Sequence, residues 1–224
     1  MDARTLPPQL PQWLLPWYEQ NKRDLPWRQD REPYHIWVSE IMLQQTRVEA
    51  VKGYYTRFLA ALPDIPALAA CGDDALHKLW EGLGYYSRVR NLKKAAQQIV
   101  SAYGGVFPRD YGSVRGLPGI GPYTAGAICS IAFDLPTPAV DGNVLRLVSR
   151  LRDDDRPIDD PKVKQEVTQA LGEAMVKSNE TFRRNVPGDT LRFHLRLEDR
   201  SGTEYRYTPN SAAIGTVPSA QEGE

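Results

Sequence analysis

Several features that would point to particular classes of protein are scarce in this chain of 224 residues. It has two cysteines, Cys71 and Cys129, which are too few for a disulfide framework or a four-thiolate metal site. No run of about 18 apolar residues is present, so the sequence predicts no membrane span. Lysine plus arginine equals aspartate plus glutamate, at 28 each, so total charge does not indicate a nucleic-acid partner. Any such partner has to be argued from local motifs.

The N-terminus, MDARTLPPQLPQ, lacks the basic and then apolar pattern of a secretion signal. We therefore expect an intracellular protein of the cytoplasm or nucleoid. Hydrophobic residues make up 41% of the chain and charged residues 25%, which is typical of a globular domain with a real core.

Hydrophobic spacing predicts helices along most of the chain and almost no strands before residue 178, so the fold class is all-α. After that point TLRFHLRLEDRSGTEYRYT alternates apolar and polar residues around Ser201-Gly202, as a β-hairpin does, and we expect the following PNSAAIGTVPSAQEGE to be disordered. The predicted helices include residues 9–23, 35–46, 47–60, 86–103, 109–115, 143–151 and 161–176.

The segment LPGIGPYTAG, residues 117–126, places three glycines and two prolines at the entrance of an apolar helix. Glycine allows another chain to approach the backbone closely, and Pro122 suits the first helical position. Free N–H groups and the helix dipole would then form an anion site. A tight helix–helix turn is the alternative, but the whole segment favours a site for one nucleic-acid phosphate.

Several separated motifs resemble the helix-hairpin-helix base-excision DNA glycosylases, and in particular the adenine DNA glycosylase (MutY) family. The similarity covers roughly residues 9–176. The motifs that carry it are LPWR at 25–28, WVSEIMLQQT at 37–46, GLGYYSRVRNL at 82–92, LPGIGPYTAG at 117–126 and VDGNV at 140–144.

This resemblance implies a two-lobed fold and a DNA repair activity. One helical lobe with the hairpin would span residues 30–136, and a second would combine residues 1–29 with 137–176. Double-stranded DNA would lie across the cleft between the lobes of a monomer. The implied reaction is hydrolysis of the N-glycosidic bond of adenine mispaired with 8-oxoguanine or guanine. A glycosylase for another mispaired base, such as thymine, and an inactive DNA-binding module are the alternatives.

Two carboxylates suit cleavage of a glycosidic bond, in which one protonates the leaving group and the other faces the developing cation. Glu40 lies in an apolar helical segment that would raise its pKa by desolvation, although a hydrogen-bonded helix glutamate is the ordinary alternative. Asp141 precedes a helix and would also be an N-cap. The resemblance implies that Glu40 protonates adenine at N7 and activates water, that Asp141 stabilises the sugar cation, and that Asn143 positions groups nearby.

Tyr123 matches the position at which bifunctional members of the superfamily carry a Schiff-base lysine. Because tyrosine cannot form an imine, we expect a monofunctional glycosylase. An aromatic ring that packs against the hairpin would be compatible with this expectation.

The resemblance also implies contacts that extrude and hold the target base. Gln45 and Tyr85 match residues inserted into the duplex, although a surface glutamine and a core or rim aromatic would look the same. The expected base pocket contains Trp27, Arg28 and Leu43, and the expected hairpin contacts are Leu117, Gly119 and Gly121. Arg88 belongs to a basic cluster with Arg90, Lys93 and Lys94 that would contact phosphates or form a solvated helix face.

The chain departs from the family after residue 176. The family continues with another helix and four cysteines that hold a four-iron four-sulfur cluster, and this chain has no cysteine there. We therefore predict that no cluster binds to this chain. Residues 177–224 also do not resemble the family's 8-oxoguanine recognition domain. A diverged ending and a truncated or frame-shifted product are both compatible with this tail.

Overall fold

The computed structural model describes residues 6–7 and 10–183 and three short strands, with side chains described up to residue 176. This described part is built from ten α-helices and one 3-10 helix, η1. The elements are α1 (Leu10–Asn21), η1 (Pro26–Arg28), α2 (Pro33–Met42), α3 (Val48–Ala61), α4 (Ile65–Ala70), α5 (Asp73–Trp80), α6 (Ser87–Tyr103), α7 (Tyr111–Arg115), α8 (Pro122–Phe133), α9 (Gly142–Arg152), α10 (Pro161–Arg183), β1 (Arg196–Glu198), β2 (Glu204–Arg206) and β3 (Gly215–Thr216). The all-α class predicted from the sequence is confirmed. No described helix is both long and apolar enough to cross a bilayer.

The chain divides into two compact units, Asp24–Ala139 and a second that joins Met1–Arg23 to Val140–Glu224. The sequence placed the first boundary at residue 30, but Leu25 and Trp27 are only 2% and 3% exposed. Both side chains belong to the same buried cluster as Tyr55, and the Trp27 ring lies edge-on to the Tyr55 ring at 5.5 Å. Burial of these two side chains explains why the central unit begins before residue 30.

The core of the central unit is formed largely by α2, α3, α6 and α8. Seven of the ten residues of α2 are buried, and this helix contacts both α3 and α8. Trp37 of α2 packs edge-on to Phe107 at 5.5 Å, and Phe58 of α3 packs edge-on to Trp80 at 5.9 Å. A side chain of this size that is fully buried contributes about 1.5–3 kcal/mol. The helix α2 is therefore fixed on two sides by apolar contacts.

The other unit has its own apolar core, which brings α1 together with α9 and α10. The buried face of α1 consists of Leu10, Leu14 and Tyr18 at intervals of four residues. The buried leucines and valines that this core contains are Leu6, Leu10, Leu14, Leu145, Leu147, Val148, Val163, Val167 and Leu171. Pro16 lies inside α1 without ending it.

The three strands lie in the segment that the sequence separated from the helical region. The strand β1 pairs antiparallel with β2, with Leu197 opposite Tyr205 and Glu198 opposite Glu204. The predicted turn at Ser201-Gly202 lies outside the described residues. The strand β3 pairs with β2 and falls within the stretch predicted to be disordered. The remaining residues of that stretch lie outside the described residues.

A close approach at Gly126 gives a prediction about stability. A Cβ atom there would lie 2.4 Å from the carbonyl oxygen of Pro138, which is rigid backbone. We expect Gly126→Ala to lower the free energy of unfolding of the central unit by about 2–3 kcal/mol, because overpacking forces the backbone apart. Urea denaturation followed by circular dichroism measures this change.

The matched control is Gly53→Ala in the middle of α3. The nearest atom to its Cβ would be the flexible Arg57 Nη1 at 3.4 Å. Since both substitutions gain helix propensity, Gly53→Ala should be neutral or stabilising by up to about 1 kcal/mol. Equal effects at both positions would contradict the packing argument.

Candidate active site

The glycine-rich segment forms a short hairpin between α7 and α8. Asp110 caps α7, where its side chain accepts a hydrogen bond from the Ser113 N–H at 2.8 Å, and this bond lowers the pKa of the Asp110 carboxyl. Leu117 and Ile120 are 2% and 3% exposed and anchor the loop in the core. The side chain of Leu117 therefore points into the protein, and its expected contact with DNA stays a prediction.

Two contacts that the sequence did not predict hold the hairpin in shape. Arg115 Nη1 donates a hydrogen bond to the Ile120 carbonyl at 2.8 Å. Gly119 has a φ of +78°, and a Cβ atom on it would lie 2.8 Å from Cβ of Asn91 in α6. Glycine is required here both by the left-handed backbone and by the close approach of α6.

The hairpin leads into the N-terminus of α8. Gly121 is the N-cap residue with extended backbone, Pro122 follows at the first helical position, and the Gly121 carbonyl accepts from the Ala125 N–H at 2.9 Å. The N–H groups of a first helical turn lack a carbonyl partner within their own helix, and the dipole adds partial positive charge. Gly121 and the exposed Gly119 therefore lie where an anion can approach the backbone.

Glu40 lies in the last turn of α2 and is half-buried. Its helix neighbours Ile36 and Trp37 are 0% and 1% exposed, and Leu43, one turn further on, is half-buried against the core. The helix neighbours of Glu40 are therefore apolar, and its side chain keeps partial access to solvent. That environment suits a group that delivers a proton to a bound substrate.

The residues of the expected base pocket lie on elements that contact α2. Trp27 and Arg28 belong to η1, which contacts α2 and α3, and Leu43 follows directly after Met42. Trp27 is buried, whereas Arg28 and Leu43 are half-buried. The short helix η1 is thus positioned beside the helix that carries Glu40.

Asp141 is the N-cap of α9 in the other unit. Its carboxylate accepts hydrogen bonds from the N–H groups of Asn143 at 3.0 Å and Val144 at 2.8 Å, and from the Asn143 side-chain amide at 3.0 Å. The Asn143 side-chain oxygen accepts in turn from Arg146. The N-cap geometry expected from the sequence is present. Three N–H donors fix the orientation of the carboxylate at the N-terminus of α9.

Gln45 and Tyr85 share an unusual backbone geometry within the central unit. Both are exposed and both adopt left-handed conformations, with φ of +57° for Gln45 and +46° for Tyr85. Tyr85 is 64% exposed, which differs from an aromatic residue packed in the core. Non-glycine residues at positive φ are uncommon and occur where neighbouring structure imposes the conformation.

Arg88 makes its hydrogen bonds within the protein, whereas the sequence resemblance implied a contact with phosphate. Its guanidinium is half-buried, and both terminal nitrogens donate to backbone carbonyls of the two turns that carry Gln45 and Tyr85. Arg90 and Lys94 of the same cluster are exposed, and Lys93 pairs with Asp73 at 2.5 Å. The cluster is therefore split between an inward-facing arginine and an outward-facing basic edge.

Tyr123 lies in the first turn of α8 and is 39% exposed. Its phenol is next to the hairpin, at the position where the sequence resemblance expects a lysine in bifunctional relatives.

The cysteines do not fit an iron–sulfur cluster. Cys71 donates a hydrogen bond to the Gly72 carbonyl, and Cys129 is fully buried in α8, where burial raises the pKa of its thiol to about 11. In the described part of the chain no three histidine, cysteine, aspartate or glutamate side chains are grouped as metal ligands. Two thiols cannot supply the four ligands that such a cluster needs.

The sequence profile of the HhH-GPD superfamily base excision DNA repair proteins matches residues 38–173, a range that contains Glu40, the hairpin and Asp141. The chain belongs to this superfamily. The resemblance to its adenine DNA glycosylase branch is also confirmed by individual relatives. The adenine DNA glycosylases of Mus musculus and Homo sapiens are 51% and 49% identical over 148 residues.

These matches cover 62% of this chain but only 29% of the mouse relative and 27% of the human one, so the chain spans under a third of their length. Solved structures agree on the fold. A thermostable thymine-DNA glycosylase superposes with a TM-score of 0.61 at 24% identity, over 79% of this chain and 86% of that one. A non-covalent endonuclease III–DNA complex superposes with a TM-score of 0.61 at 22% identity, over 77% of this chain and 83% of that one.

Proposed function

We propose that this chain is a monofunctional DNA glycosylase that hydrolyses the N-glycosidic bond of adenine mispaired with 8-oxoguanine or guanine in double-stranded DNA. The observation that carries this proposal is that about half of the aligned residues are identical to those of adenine DNA glycosylases. The family match includes both Glu40 and Asp141. The half-buried carboxyl at the end of α2 and the capped carboxylate of α9 supply the two kinds of group that the reaction needs.

In the proposed reaction the bond between the sugar C1′ and adenine N9 breaks. Glu40 donates its proton to adenine N7, so the base leaves as a neutral species, and the sugar becomes a cation. The Asp141 carboxylate, which its N–H donors hold in a fixed orientation, stabilises this cation by its negative charge. Glu40, now a carboxylate, accepts a proton from the water that attacks C1′, which restores the acid. Asn143 orients the Asp141 carboxylate through its side-chain amide.

The hairpin and α8 are proposed to hold one phosphate of the DNA. Gly119 and Gly121 present backbone rather than side chains, so this contact fixes the position of the strand without selecting its sequence. Tyr123 offers no amine to trap the sugar, so the DNA strand stays intact after the base has left.

An assay of the purified chain tests the substrate. Duplexes that contain A·8-oxoguanine, A·G, T·G or A·T are incubated with the protein, and hot alkali then cleaves at abasic sites. We expect cleavage at adenine in the first two duplexes, none in the other two, and no cleavage before alkali. Release of thymine from T·G would contradict the adenine proposal and show a thymine glycosylase instead. Binding without release of any base would show a DNA-binding module, and cleavage without alkali would contradict the monofunctional assignment.

A further inference from the structure

The guanidinium of Arg88 joins two turns that lie far apart in the sequence. Its Nη1 is within hydrogen-bond distance of the carbonyls of Ile41 at 2.9 Å and Gln44 at 2.6 Å, with Met42 at 3.3 Å. Its Nη2 reaches the carbonyls of Leu83 at 3.0 Å and Gly84 at 3.3 Å. We call residues 43–46 the Gln45 turn and residues 81–86 the Tyr85 turn. One side chain therefore contacts both turns and the end of α2.

The surroundings of Arg88 make this arrangement specific to arginine. The guanidinium lies 5.5 Å from the centre of the Trp80 ring and 5.6 Å from that of Tyr85. Burial lowers the pKa of Arg88 from its ordinary value, and carbonyl dipoles and ring faces stabilise the charge. The planar fork of arginine donates in several directions at once, which the single ammonium group of lysine cannot reproduce.

Both turns store backbone strain at the residue they present to solvent. A non-glycine residue at positive φ costs about 1 kcal/mol or more and persists only where its surroundings impose it. Gln45 and Tyr85 are such residues. Each directly follows a residue, Gln44 or Gly84, whose carbonyl accepts a hydrogen bond from Arg88. Trp80 Nε1 adds a hydrogen bond to the Gly84 carbonyl at 3.1 Å. Arg88 is therefore part of the surroundings that impose the backbone conformation of both residues.

We propose that Arg88 is a positioning residue that holds the Gln45 turn and the Tyr85 turn in one arrangement, so that both side chains enter the DNA duplex together. This inference rests on the proposed function. Because its terminal nitrogens are occupied by the protein's own carbonyls, Arg88 acts through these two turns and does not bind phosphate. The same bonds fix the carbonyls of Ile41 and Met42 directly after Glu40, which links the inserted side chains to the helix of the general acid.

The first experiment needs no DNA. Hydrogen–deuterium exchange is measured by mass spectrometry on the full chain and on Arg88→Lys, which keeps the positive charge. We expect peptides from both turns to exchange about ten- to a hundredfold faster in the variant, as expected when hydrogen bonds to a charged group are lost. Peptides from α4 should be unchanged. Faster exchange in one turn alone, in neither, or throughout the central unit would overturn the proposal.

The second experiment separates positioning from phosphate binding. Arg90→Lys and Arg90→Met are the matched controls, because Arg90 is exposed on the same helix. A duplex with 2-aminopurine in place of the target adenine reports base extrusion by its fluorescence, and binding is measured at several salt concentrations. Arg88→Lys should lose the fluorescence increase while its salt dependence of binding stays that of the unmodified chain.

A phosphate contact gives the opposite pattern. Arg88→Lys would then behave as the unmodified chain, and Arg88→Met would lower the slope of log K against log salt by about 1. That result would overturn the positioning role. If the unmodified chain releases no base from any duplex, the proposed glycosylase activity fails, while the exchange experiment still decides whether Arg88 couples the two turns.

Discussion

Glu40→Gln is expected to slow base release by at least about 10²–10⁴-fold while leaving DNA binding intact. Glutamine has nearly the same shape as glutamate and retains a carbonyl acceptor, but its amide has no acidic proton to transfer to adenine and no carboxylate to activate water. Loss of general acid and base catalysis lowers rates by about 10²–10⁴-fold, and Glu40 is proposed to perform both steps. A single-turnover assay on an A·8-oxoguanine duplex, with enzyme in excess, measures the change in the chemical step directly.

The control for this prediction is Glu49→Gln in α3. The Glu49 side chain is 77% exposed and its partner is Lys52 of the same helix, so this substitution removes one negative charge without changing the environment of α2. We expect its single-turnover rate to be that of the unmodified chain. A Glu40→Gln variant that binds DNA normally and still releases adenine at the original rate would exclude Glu40 as the acid.

The positions of most helices could be predicted because each has a clear apolar period and local boundary residues. The prediction of a helix over 86–103 is close to the observed α6, which ends where Gly104 adopts a φ of +61°. Asp141 was recognised as an N-cap because the cap bonds reach only two and three residues along the chain. Local physical chemistry is sufficient at such positions.

The end of α2 shows where local information was insufficient. The pattern predicted a helix to residue 46, but α2 ends at Met42 and the chain turns through Gln45. The carbonyls that a longer helix would use accept hydrogen bonds from Arg88, which is 47 residues from Ile41 in the sequence. The same contact explains why Arg88, one basic residue among four, differs from its neighbours. Nothing in the spacing of the basic residues distinguished the inward-facing one.

Tertiary contacts also decided which side of a helix is buried. Within the predicted helix over 9–23, Trp13 is 61% exposed, whereas the smaller Leu10 is buried in the core. The role of Asn91 in supporting the hairpin depends on the approach of α6 to a loop 28 residues further along the chain, so a single sequence gives no signal for it.

Two substitutions of Asp141 are expected to separate its role as a helix cap from its role in catalysis. Asparagine is as good an N-cap as aspartate, so Asp141→Asn should change the free energy of unfolding by less than about 0.5 kcal/mol. It removes the negative charge that stabilises the sugar cation, and loss of such a preorganised electrostatic group lowers the chemical step by about 10²–10³-fold. Asp141→Ala should show a similar loss of activity and about 1 kcal/mol of destabilisation in addition.

The matched control for Asp141 is Asp110, which caps α7 with a bond to the Ser113 N–H at 2.8 Å. Asp110→Asn removes the same charge from a comparable cap and should leave the single-turnover rate unchanged. If Asp141 were only a cap, Asp141→Asn would keep full activity and stability, and Asp141→Ala would lose stability alone. A loss of activity in Asp141→Asn without a loss of stability is therefore the result that only a charge acting on the substrate produces. If both groups act in the same step, the rate losses of Glu40→Gln and Asp141→Asn should be non-additive in the double variant. Removal of either group leaves less of the transition state for the other to stabilise.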